Sequence, residues 1–384
     1  MKIVIAPDSF KESLSAVEAA AQIEAGFREV FPEADYVRIP IADGGEGTVA
    51  AMVAATGGRL VDVAVSGPLG EQVDAFYGVT GDEQTAVIEM AAASGLALVP
   101  VERRNPMLTS SYGTGELIRH ALDAGLRQFM IGIGGSATND AGVGMLQALG
   151  VRFLDGRGRE IGSGGGALAG LARIDPSALD ARLEESRVLV ACDVNNPLTG
   201  PKGASAVFGP QKGADAEMVE VLDANLKLFA ERVAKDLDRP VAEIPGAGAA
   251  GGMGAALLAF LDAELKPGIQ IVIAAVGLEE AVIGADLVMT GEGRIDGQSI
   301  HGKAPVGVAR IAARHGVPVI AIAGSLGSGA DQVRSQGISA LFSLVQGPCS
   351  LQESLLAAAD NLRSTASNVA AVIKMFSEPS RAIQ

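Results

Sequence analysis

The chain of 384 residues has no tryptophan, only 4% aromatic residues, and fewer basic than acidic residues, 30 against 45. The net charge of −15 repels polyphosphate backbones. Nucleic-acid binding requires a basic patch together with aromatic side chains that stack on bases, and no segment combines the two. We therefore expect no nucleic-acid partner. A small anionic substrate is still compatible with this charge, because a few Lys, Arg and backbone N–H groups act at short range.

Cysteine is also scarce, and Cys192 and Cys349 lie far apart without CxxC spacing. This argues against a disulfide framework or a structural zinc site. No uncharged apolar run of about 18 residues occurs, so we expect no membrane span. The N-terminal MKIVIAPDSF lacks a cleavage-like site after its short apolar stretch. We predict a cytoplasmic protein.

Nucleophilic catalysis has little support in the sequence. There are three histidines: His120 and His315 lie in helical sequence, and His301 lies in a glycine-rich loop. No GxSxG motif is present, and the Cys and His residues lack metal-ligand spacing. The chemistry is therefore expected to be electrostatic positioning of substrates, or hydride transfer to a cofactor.

Glycine is abundant, with 50 residues, and hydrophobic residues make up 48% of the chain. Apolar runs that end in Gly, Asp or Ser and precede helical periodicity recur, which is typical of α/β proteins. Two buried strands are predicted near the start, in KIVIAPD and YVRIPIADGGEGT, and three more beyond Pro267, in ADLVMTGEG, VPVIAIAGS and ALFSLV. Together they predict one Rossmann-like, doubly wound parallel sheet.

The pattern changes from Arg59 onward to alternating strands with a hairpin near Gly67–Gly70. We predict a discontinuous Rossmann-like domain of residues 1–58 and 267–384. A second, mixed α/β domain of residues 59–266 is inserted in it, with the active site in the cleft between them. The carboxyl-terminal SEPSRAIQ is expected to be frayed.

Two segments match the glycine pattern of dinucleotide-binding loops. Gly132–Ala137 follows the strand QFMI, opens a helix and has Asp155 about twenty residues further on. It supports one alternative function, an NAD-dependent dehydrogenase of a small hydroxy acid. Gly246–Gly251 also fits, but Pro245 precedes it and no clear strand does, so we interpret it as a closely packed helix start.

A third segment, Thr290–Arg310, has P-loop spacing up to Lys303, but Ala304 follows where a P-loop has Ser or Thr. Because that hydroxyl binds magnesium in a P-loop, a metal must be held elsewhere. Its charged side chains are candidates for a phosphate-transfer site: Glu292 and Asp296 for metal, Arg294 and Lys303 for phosphate or carboxylate. Alternatively, Arg294, Asp296 and Lys303 form salt bridges within the loop.

Further polar side chains follow predicted strands, where open α/β sheets bind ligands. They are Asp8, Ser9 and Lys11 after the first strand, Asp43 and Glu46 in ADGGEGT, Ser136, Thr138, Asn139 and Asp140 in GGSATND, and Asp193, Asn195 and Asn196 in ACDVNNPL. Carboxylates in such loops bind Mg²⁺ or accept a hydroxyl proton. The simpler alternative for Asp43, Asp193 and GGSATND is turn or helix capping.

Taken together, these segments resemble the ordered signature blocks of type I glycerate kinases. The matching blocks are APDSFKESLSA, PIADGGEGT, SSYGTGELI, IGGSATNDAGVGM, ACDVNNPL, VFGPQKGA, AAGGMGAAL and TGEGRIDGQSIHGKAPVGVAR. They extend from about residue 6 to about residue 310. One departure is Glu12, where glycine is expected after Lys11.

The resemblance implies ATP-dependent phosphorylation of D-glycerate, usually at the 2-hydroxyl, with Mg²⁺, in a two-domain α/β enzyme. Our hypotheses for the roles are these: Asp193 as general base; Lys11 and Lys303 on phosphate; Asp43, Glu292 and Asp296 for Mg²⁺; Asp8, Ser9, Arg294 and Asn195 for glycerate; Gly134, Gly135, Ser136 and Thr138 for nucleotide phosphate. A homo-oligomer is compatible with the sequence. A non-catalytic regulator that binds nucleotide or sugar acid is a second alternative.

Overall fold

The computed structural model describes residues 1–377, without the side chains of His301 and Ser377, so all but Ser377 of the segment predicted to fray lies outside the described residues. The chain forms two compact units. Unit 1 comprises Met1–Asp43, Ala50–Thr56 and the chain from Val272 onward, and unit 2 comprises Gly44–Val49 and Gly57–Ile271. The active-site cleft expected between two domains stays a prediction.

The strands are β1 (Lys2–Ile5), β2 (Asp35–Arg38), β3 (Arg59–Ser66), β4 (Gln72–Val79), β5 (Thr85–Glu89), β6 (Gln128–Gly132), β7 (Arg152–Leu154), β8 (Arg173–Asp175), β9 (Arg187–Ala191), β10 (Glu264–Lys266), β11 (Leu287–Ile295), β12 (Val319–Leu326) and β13 (Ile338–Ser343). The α-helices are α1 (Ala16–Arg28), α2 (Thr48–Thr56), α3 (Ala91–Ser94), α4 (Tyr112–Asp123), α5 (Val143–Ala148), α6 (Ala204–Phe208), α7 (Ala216–Leu237), α8 (Ala249–Phe260), α9 (Gly268–Ala275), α10 (Leu278–Val282), α11 (Ala304–Arg314), α12 (Leu351–Leu356) and α13 (Ala358–Ser377). Short 3₁₀ helices cover Leu96–Leu98, Val101–Arg103, Gly165–Gly170, Ala181–Glu185, Pro210–Lys212, Ser299–His301 and Ala330–Gln336.

Unit 1 contains a five-stranded sheet in the order β13-β12-β11-β1-β2. All its neighbouring pairs are parallel. The strand order reverses between β1 and β11, which is the topological switch point where open α/β sheets bind ligands. The five predicted strands thus form one doubly wound sheet, as expected.

One face of this sheet is covered by α1 and α13, whose apolar side chains share a buried core with Ile3 and Ile5 of β1. Helix α1 begins at a capping box. The Ser15 hydroxyl accepts from the Glu18 backbone N–H, and the Glu18 carboxylate accepts from the Ser15 N–H. This fixes the chain direction after the loop that follows β1.

Unit 2 contains a six-stranded mixed sheet in the order β10-β9-β6-β5-β4-β3. Strands β3, β4 and β5 pair antiparallel, with the predicted hairpin between β3 and β4, whereas β5, β6, β9 and β10 pair parallel. A separate antiparallel pair is formed by β7 and β8. The mixed α/β character predicted for this part of the chain is confirmed.

Helix α8 begins irregularly. Ala250, Gly251 and Gly252 have positive φ angles of 52°, 67° and 94°. A Cβ at Gly251 would lie 2.1 Å from the carbonyl oxygen of Thr138. The interpretation of Gly246–Gly251 as a closely packed helix start is confirmed, and its packing partner is the loop after β6.

Candidate active site

Three carboxylates in unit 1 lie on or after neighbouring strands at the switch point. Asp8 lies just after β1, and its backbone N–H donates to the carbonyl oxygen of Gly291 on β11 at 2.8 Å. Glu292 is the next residue of β11, and Asp43 follows β2. The side chains of Asp8 and Glu292 are buried, with 9% and 7% exposure. Parallel strand geometry therefore brings together residues far apart in the sequence.

The three carboxylates repel one another. The pKa of Asp8 is raised to about 7. Burial is the largest cause, and the charges of Asp43 and Glu292 act in the same direction, whereas the Ser9 N–H and the Lys11 charge lower the pKa. Burial also raises the pKa of Glu292, an effect that the Lys303 charge opposes. Clustered carboxylates of this kind are typical of functional sites.

Lys303 supplies the opposing charge. It is the N-cap residue of α11, and its Nζ lies 3.4 Å from a Glu292 carboxylate oxygen. The helix begins at Ala304, the residue that stands in place of the Ser or Thr of a P-loop. The positive end of the α11 dipole and the Lys303 ammonium make this end of α11 attractive to an anion. The predicted salt bridge of Lys303 is therefore present, and it joins the lysine to the carboxylate cluster.

Arg294 and Asp296 form the other predicted salt bridge, with Nε and a carboxylate oxygen 3.1 Å apart. Asp296 also accepts from the Gln298 N–H, which lowers its pKa, with further contributions from Lys303 and Arg294. The Arg294 side chain is mostly exposed. Glycerate binding by Arg294 and metal binding by Asp296 stay predictions.

The loop after β1 places Lys11 at the rim of a cavity of about 240 Å³. Backbone from Gly293 and Gly324 and apolar side chains, including Phe10, line the cavity. Lys11 is exposed and Ser9 is half-buried. The roles of both residues toward phosphate and glycerate stay predictions.

The other predicted site residues belong to unit 2, where two loops follow the paired parallel strands β6 and β9. Asp193 follows β9, and its Oδ1 accepts from the backbone N–H of Gly268, the first residue of α9, at 3.1 Å. Asn195 is exposed in the same loop. This contact is with the start of a helix 75 residues away in the sequence, so it differs from the local turn cap of the alternative. The role of Asp193 as general base stays a prediction.

After β6 the chain first exposes Gly134 and Gly135 and then buries Ser136 and Thr138. A fully buried lysine, Lys212, donates to the Ser136 hydroxyl and to the Thr138 carbonyl, both at 2.6 Å. Our sequence reasoning missed Lys212. Its signal was the segment VFGPQKGA, one of the blocks that resemble the kinase family.

The predicted partnership of Gly132–Ala137 with Asp155 is wrong. In a dinucleotide-binding fold the acidic residue ends the strand beside the glycine-rich loop. Asp155 instead follows β7, which pairs with β8, whereas β6 pairs with β5 and β9. Its carboxylate accepts from the backbone and side chain of Arg159. Nothing in this geometry supports the dehydrogenase alternative.

Magnesium suits the donors in unit 1, although no group of three or more His, Cys, Asp and Glu in residues 1–377 is arranged to hold a metal by itself. Mg²⁺ is usually bound by one or two carboxylates together with substrate phosphates. Asp43 and Glu292 offer such oxygen ligands, and the mutual repulsion around Asp8 is what a cation relieves. Within residues 1–377, no helix is long and apolar enough to cross a membrane.

Comparison with known proteins supplies the family. The model of the glycerate kinase family matches residues 3–374. A glycerate kinase of Bacillus subtilis (strain 168) is 60% identical over 98% of both chains. A glycerate 2-kinase of Escherichia coli (strain K12) is 58% identical over 97% of this chain and 98% of its own.

A solved structure gives the same result. The crystal structure of a protein assigned as glycerate kinase 2, from Salmonella typhimurium LT2, is 59% identical with a TM-score of 0.91. It covers 98% of this chain and is itself covered over 99% of its length. With the family model, the curated relatives and the fold in agreement, the chain belongs to the glycerate kinase family.

Proposed function

We propose that this protein transfers the γ-phosphoryl group of ATP to the 2-hydroxyl of D-glycerate, giving 2-phosphoglycerate and ADP, with Mg²⁺ as cofactor. Family membership supports phosphorylation of glycerate. The choice of the 2-hydroxyl is supported by the name of the Escherichia coli relative, glycerate 2-kinase.

The observation that carries the proposal is the carboxylate cluster opposed by Lys303 at the switch point of the unit 1 sheet. Phosphoryl transfer is catalysed mainly by positioning and by neutralising charge on the phosphate oxygens. Mg²⁺, when bound, would neutralise negative charge on the phosphate oxygens. Asp43 and Glu292 would hold it, with Asp296 as a further candidate. Lys303 would leave Glu292 for a phosphate oxygen, with Lys11 assisting.

In unit 2, Asp193 is proposed as the general base. Its carboxylate accepts the proton of the attacking hydroxyl as the oxygen–phosphorus bond forms and ADP leaves. Asn195 in the same loop, together with Ser9 and Arg294 of unit 1, is proposed to orient glycerate. The N–H groups of Gly134 and Gly135 and the hydroxyls of Ser136 and Thr138 are proposed to bind phosphate.

The test is a ³¹P NMR time course with purified protein, ATP, Mg²⁺ and D-glycerate, using 2- and 3-phosphoglycerate as standards. We expect the resonance of 2-phosphoglycerate to grow as ATP is consumed. If the 3-phosphoglycerate resonance grows instead, the protein is a glycerate kinase, but it phosphorylates the 3-hydroxyl and not the 2-hydroxyl. The absence of any phosphoester after long incubation would overturn the proposed function.

The base is tested with Asp193→Asn. Asparagine retains an oxygen that can accept from the Gly268 N–H, so the helix contact survives while the basicity is lost. We expect kcat to fall by at least about 10²-fold. Asp215→Asn is the matched control, because Asp215 also accepts from a helix N–H, that of Met218. If Asp193→Asn stays within a few-fold of wild type, Asp193 is not the base.

A further inference from the structure

Lys212 is the most unusual charged residue of unit 2. It ends the 3₁₀ helix Pro210–Lys212 and is followed by Gly213 in the left-handed conformation. Its side chain is 2% exposed. Burying an ammonium group is costly unless nearby groups compensate. A buried lysine in a short turn therefore calls for an explanation beyond packing.

The surroundings of Lys212 compensate its charge only in part. Burial lowers its pKa to about 7, opposed by the charge of Asp140. The Asp140 carboxylate already accepts hydrogen bonds from the backbone N–H groups of Ser111, Gly142 and Gly144. Two other charged residues flank the turn. Arg104 lies against Gly213 and donates to a backbone carbonyl, and Asp215 caps α7.

The direction of the hydrogen bonds is the informative feature. An ammonium group has no acceptor, so Lys212 must donate to the Ser136 Oγ, which then accepts. The hydroxyl hydrogen of Ser136 is therefore directed to another acceptor. Ser136 is 7% exposed and follows Gly134 and Gly135, which are exposed. An anionic oxygen seated on these glycines would receive that hydrogen.

A second observation points to a ligand at the same loop. The Thr138 hydroxyl, two residues further on, is buried and has no hydrogen-bond partner among the described residues. Buried hydroxyls are nearly always hydrogen-bonded in native structures. The loop Gly134–Thr138 therefore contains one hydroxyl that is oriented by a lysine and another that is unsatisfied.

We propose that Lys212 is a positioning residue that orients the Ser136 hydroxyl as a donor to an anionic oxygen of a substrate bound at Gly134–Ser136. This inference rests on the proposed kinase function for the identity of the substrate. The oxygen belongs either to an ATP phosphate or to the glycerate carboxylate. Both are acceptor oxygens of an anion, and the experiment distinguishes them.

The test is a double-mutant cycle with Lys212→Met and Ser136→Ala, in which KM for ATP and for D-glycerate is measured separately. Each single variant should raise one of the two KM values by about tenfold, and the double variant should be no worse than Ser136→Ala alone. The substrate whose KM changes identifies the anion. Multiplicative effects in the double variant would overturn the proposal.

Lys202→Met is the matched control, because Lys202 is an exposed lysine in the neighbouring turn. We expect both KM values of this variant to stay at wild-type levels. Lys212→Gln, which keeps a neutral donor, is added in case Lys212→Met does not fold. Equal losses in Lys202→Met and Lys212→Met would overturn the proposal.

The pH dependence gives an independent readout, since a purely structural lysine would not produce it. Once deprotonated, the Lys212 amine accepts a hydrogen from Ser136, which turns that hydroxyl away from the substrate. The affinity of the wild type for the anion should therefore fall as the pH rises through about 7. Ser136→Ala and Lys212→Gln should lack this dependence. An unchanged profile in both variants would contradict the proposal.

Calorimetric titration of ATP and of D-glycerate into the same proteins keeps this inference separate from the proposed function. If the wild type binds a substrate but does not transfer phosphate, the proposed function fails and the Lys212 effect is still measured as a change in Kd. We expect a rise of about tenfold in Kd for Lys212→Met, which has no donor, and for Ser136→Ala, and a smaller rise for Lys212→Gln. Unchanged Kd values, or no binding of either ligand to the wild type, would overturn the inference.

Discussion

Glu12 has a φ angle of 65°, in the left-handed region that favours glycine. This gives a physical reason for the glycine expected at this position in the related kinases. A non-glycine residue in this conformation is disfavoured by about 1–2 kcal/mol, partly offset by the larger entropy that glycine loses on folding. We predict that Glu12→Gly raises the free energy of unfolding by about 0.5–1 kcal/mol, measured by urea titration.

The control for this substitution is Glu33→Gly. Glu33 is likewise an exposed turn residue, but its φ is not positive. Glycine there adds only flexibility to the unfolded chain, so stability should fall slightly. A loss of stability in Glu12→Gly equal to that in Glu33→Gly would show that the left-handed turn carries no strain.

Asp8 is expected to lower the stability of the protein at neutral and alkaline pH. Its pKa in the folded protein is about 7, above the ordinary value of 3.8. Stability is therefore lost as the pH rises between these two values, because the unfolded chain ionises first. We predict that Asp8→Asn, which can still accept from the Ser9 N–H, raises the free energy of unfolding at pH 8 by about 1–3 kcal/mol.

Denaturant unfolding at pH 5 and pH 8 checks this prediction. The gain from Asp8→Asn should be larger at pH 8, whereas Asp35→Asn, an exposed carboxylate on β2, should have little effect at either pH. A gain that is independent of pH would mean that repulsion and burial of the Asp8 charge are not the cause.

Single residues also show where sequence reasoning succeeds. Asp8 and Glu292 could be found because both stand at carboxyl ends of predicted parallel strands, and strand position alone brings them near the same edge. Lys212 could not be found in that way. A lysine before glycine in a turn is typical of an exposed residue, and its burial depends on how the loop after β6 packs against it.

At the scale of elements, the start of α8 and the loop after β6 form one packed unit. Gly251 has a φ of 67°, and an added Cβ would lie 2.1 Å from the Thr138 carbonyl oxygen. Gly57 has the same φ of 67° but no atom within 4 Å of such a Cβ. Substituting alanine for each of these two glycines therefore separates the cost of the left-handed backbone conformation from the cost of close packing.

We predict that Gly57→Ala costs about 1 kcal/mol of stability, from the left-handed backbone alone. Gly251→Ala should cost at least about 2 kcal/mol more, because a backbone carbonyl must move. It should also weaken substrate binding at Gly134–Thr138. Thermal unfolding and calorimetric titration of ATP measure the two effects. Equal stability losses would show that the loop after β6 yields to the extra methyl group.

The sequence predicted the regular elements better than their irregular junctions. The five strands of unit 1 were predictable because each is a buried apolar run with a helical sequence beside it. By contrast, the left-handed run at Ala250–Gly252 follows from tertiary contact with Thr138, which has no local signal. The pairing of β7 with β8 likewise depends on partners distant in the sequence.

At the scale of the whole molecule, the candidate residues lie at the carboxyl ends of parallel strands in each of two sheets. Unit 1 contains the carboxylates and Lys303, and unit 2 contains Asp193 and the loop that begins at Gly134. Both sets belong to a chain with a net charge of −15. Local cations and helix N-termini must therefore attract the anionic substrates against the overall field.

Metal and nucleotide are expected to stabilise the whole protein only in combination. Because no three-ligand metal group exists within residues 1–377, Mg²⁺ alone should bind weakly through Asp43 and Glu292. On the proposed function, ATP phosphates would add the missing ligands, so Mg²⁺ and ATP together should raise Tm much more than the sum of their separate effects. A saturating complex at 100 times its Kd stabilises by about 2.7 kcal/mol.

Thermal unfolding with Mg²⁺, with ATP, with both, and with both plus EDTA measures this synergy. Asp43→Asn should reduce it strongly, and Asp35→Asn should preserve it, since Asp35 is an exposed carboxylate on β2, the strand before Asp43. If Mg²⁺ alone gives the full increase in Tm, the metal is held by protein ligands without the nucleotide. If Asp43→Asn retains the synergy, Asp43 is not a magnesium ligand, and the carboxylates at the switch point act on the substrates by charge alone.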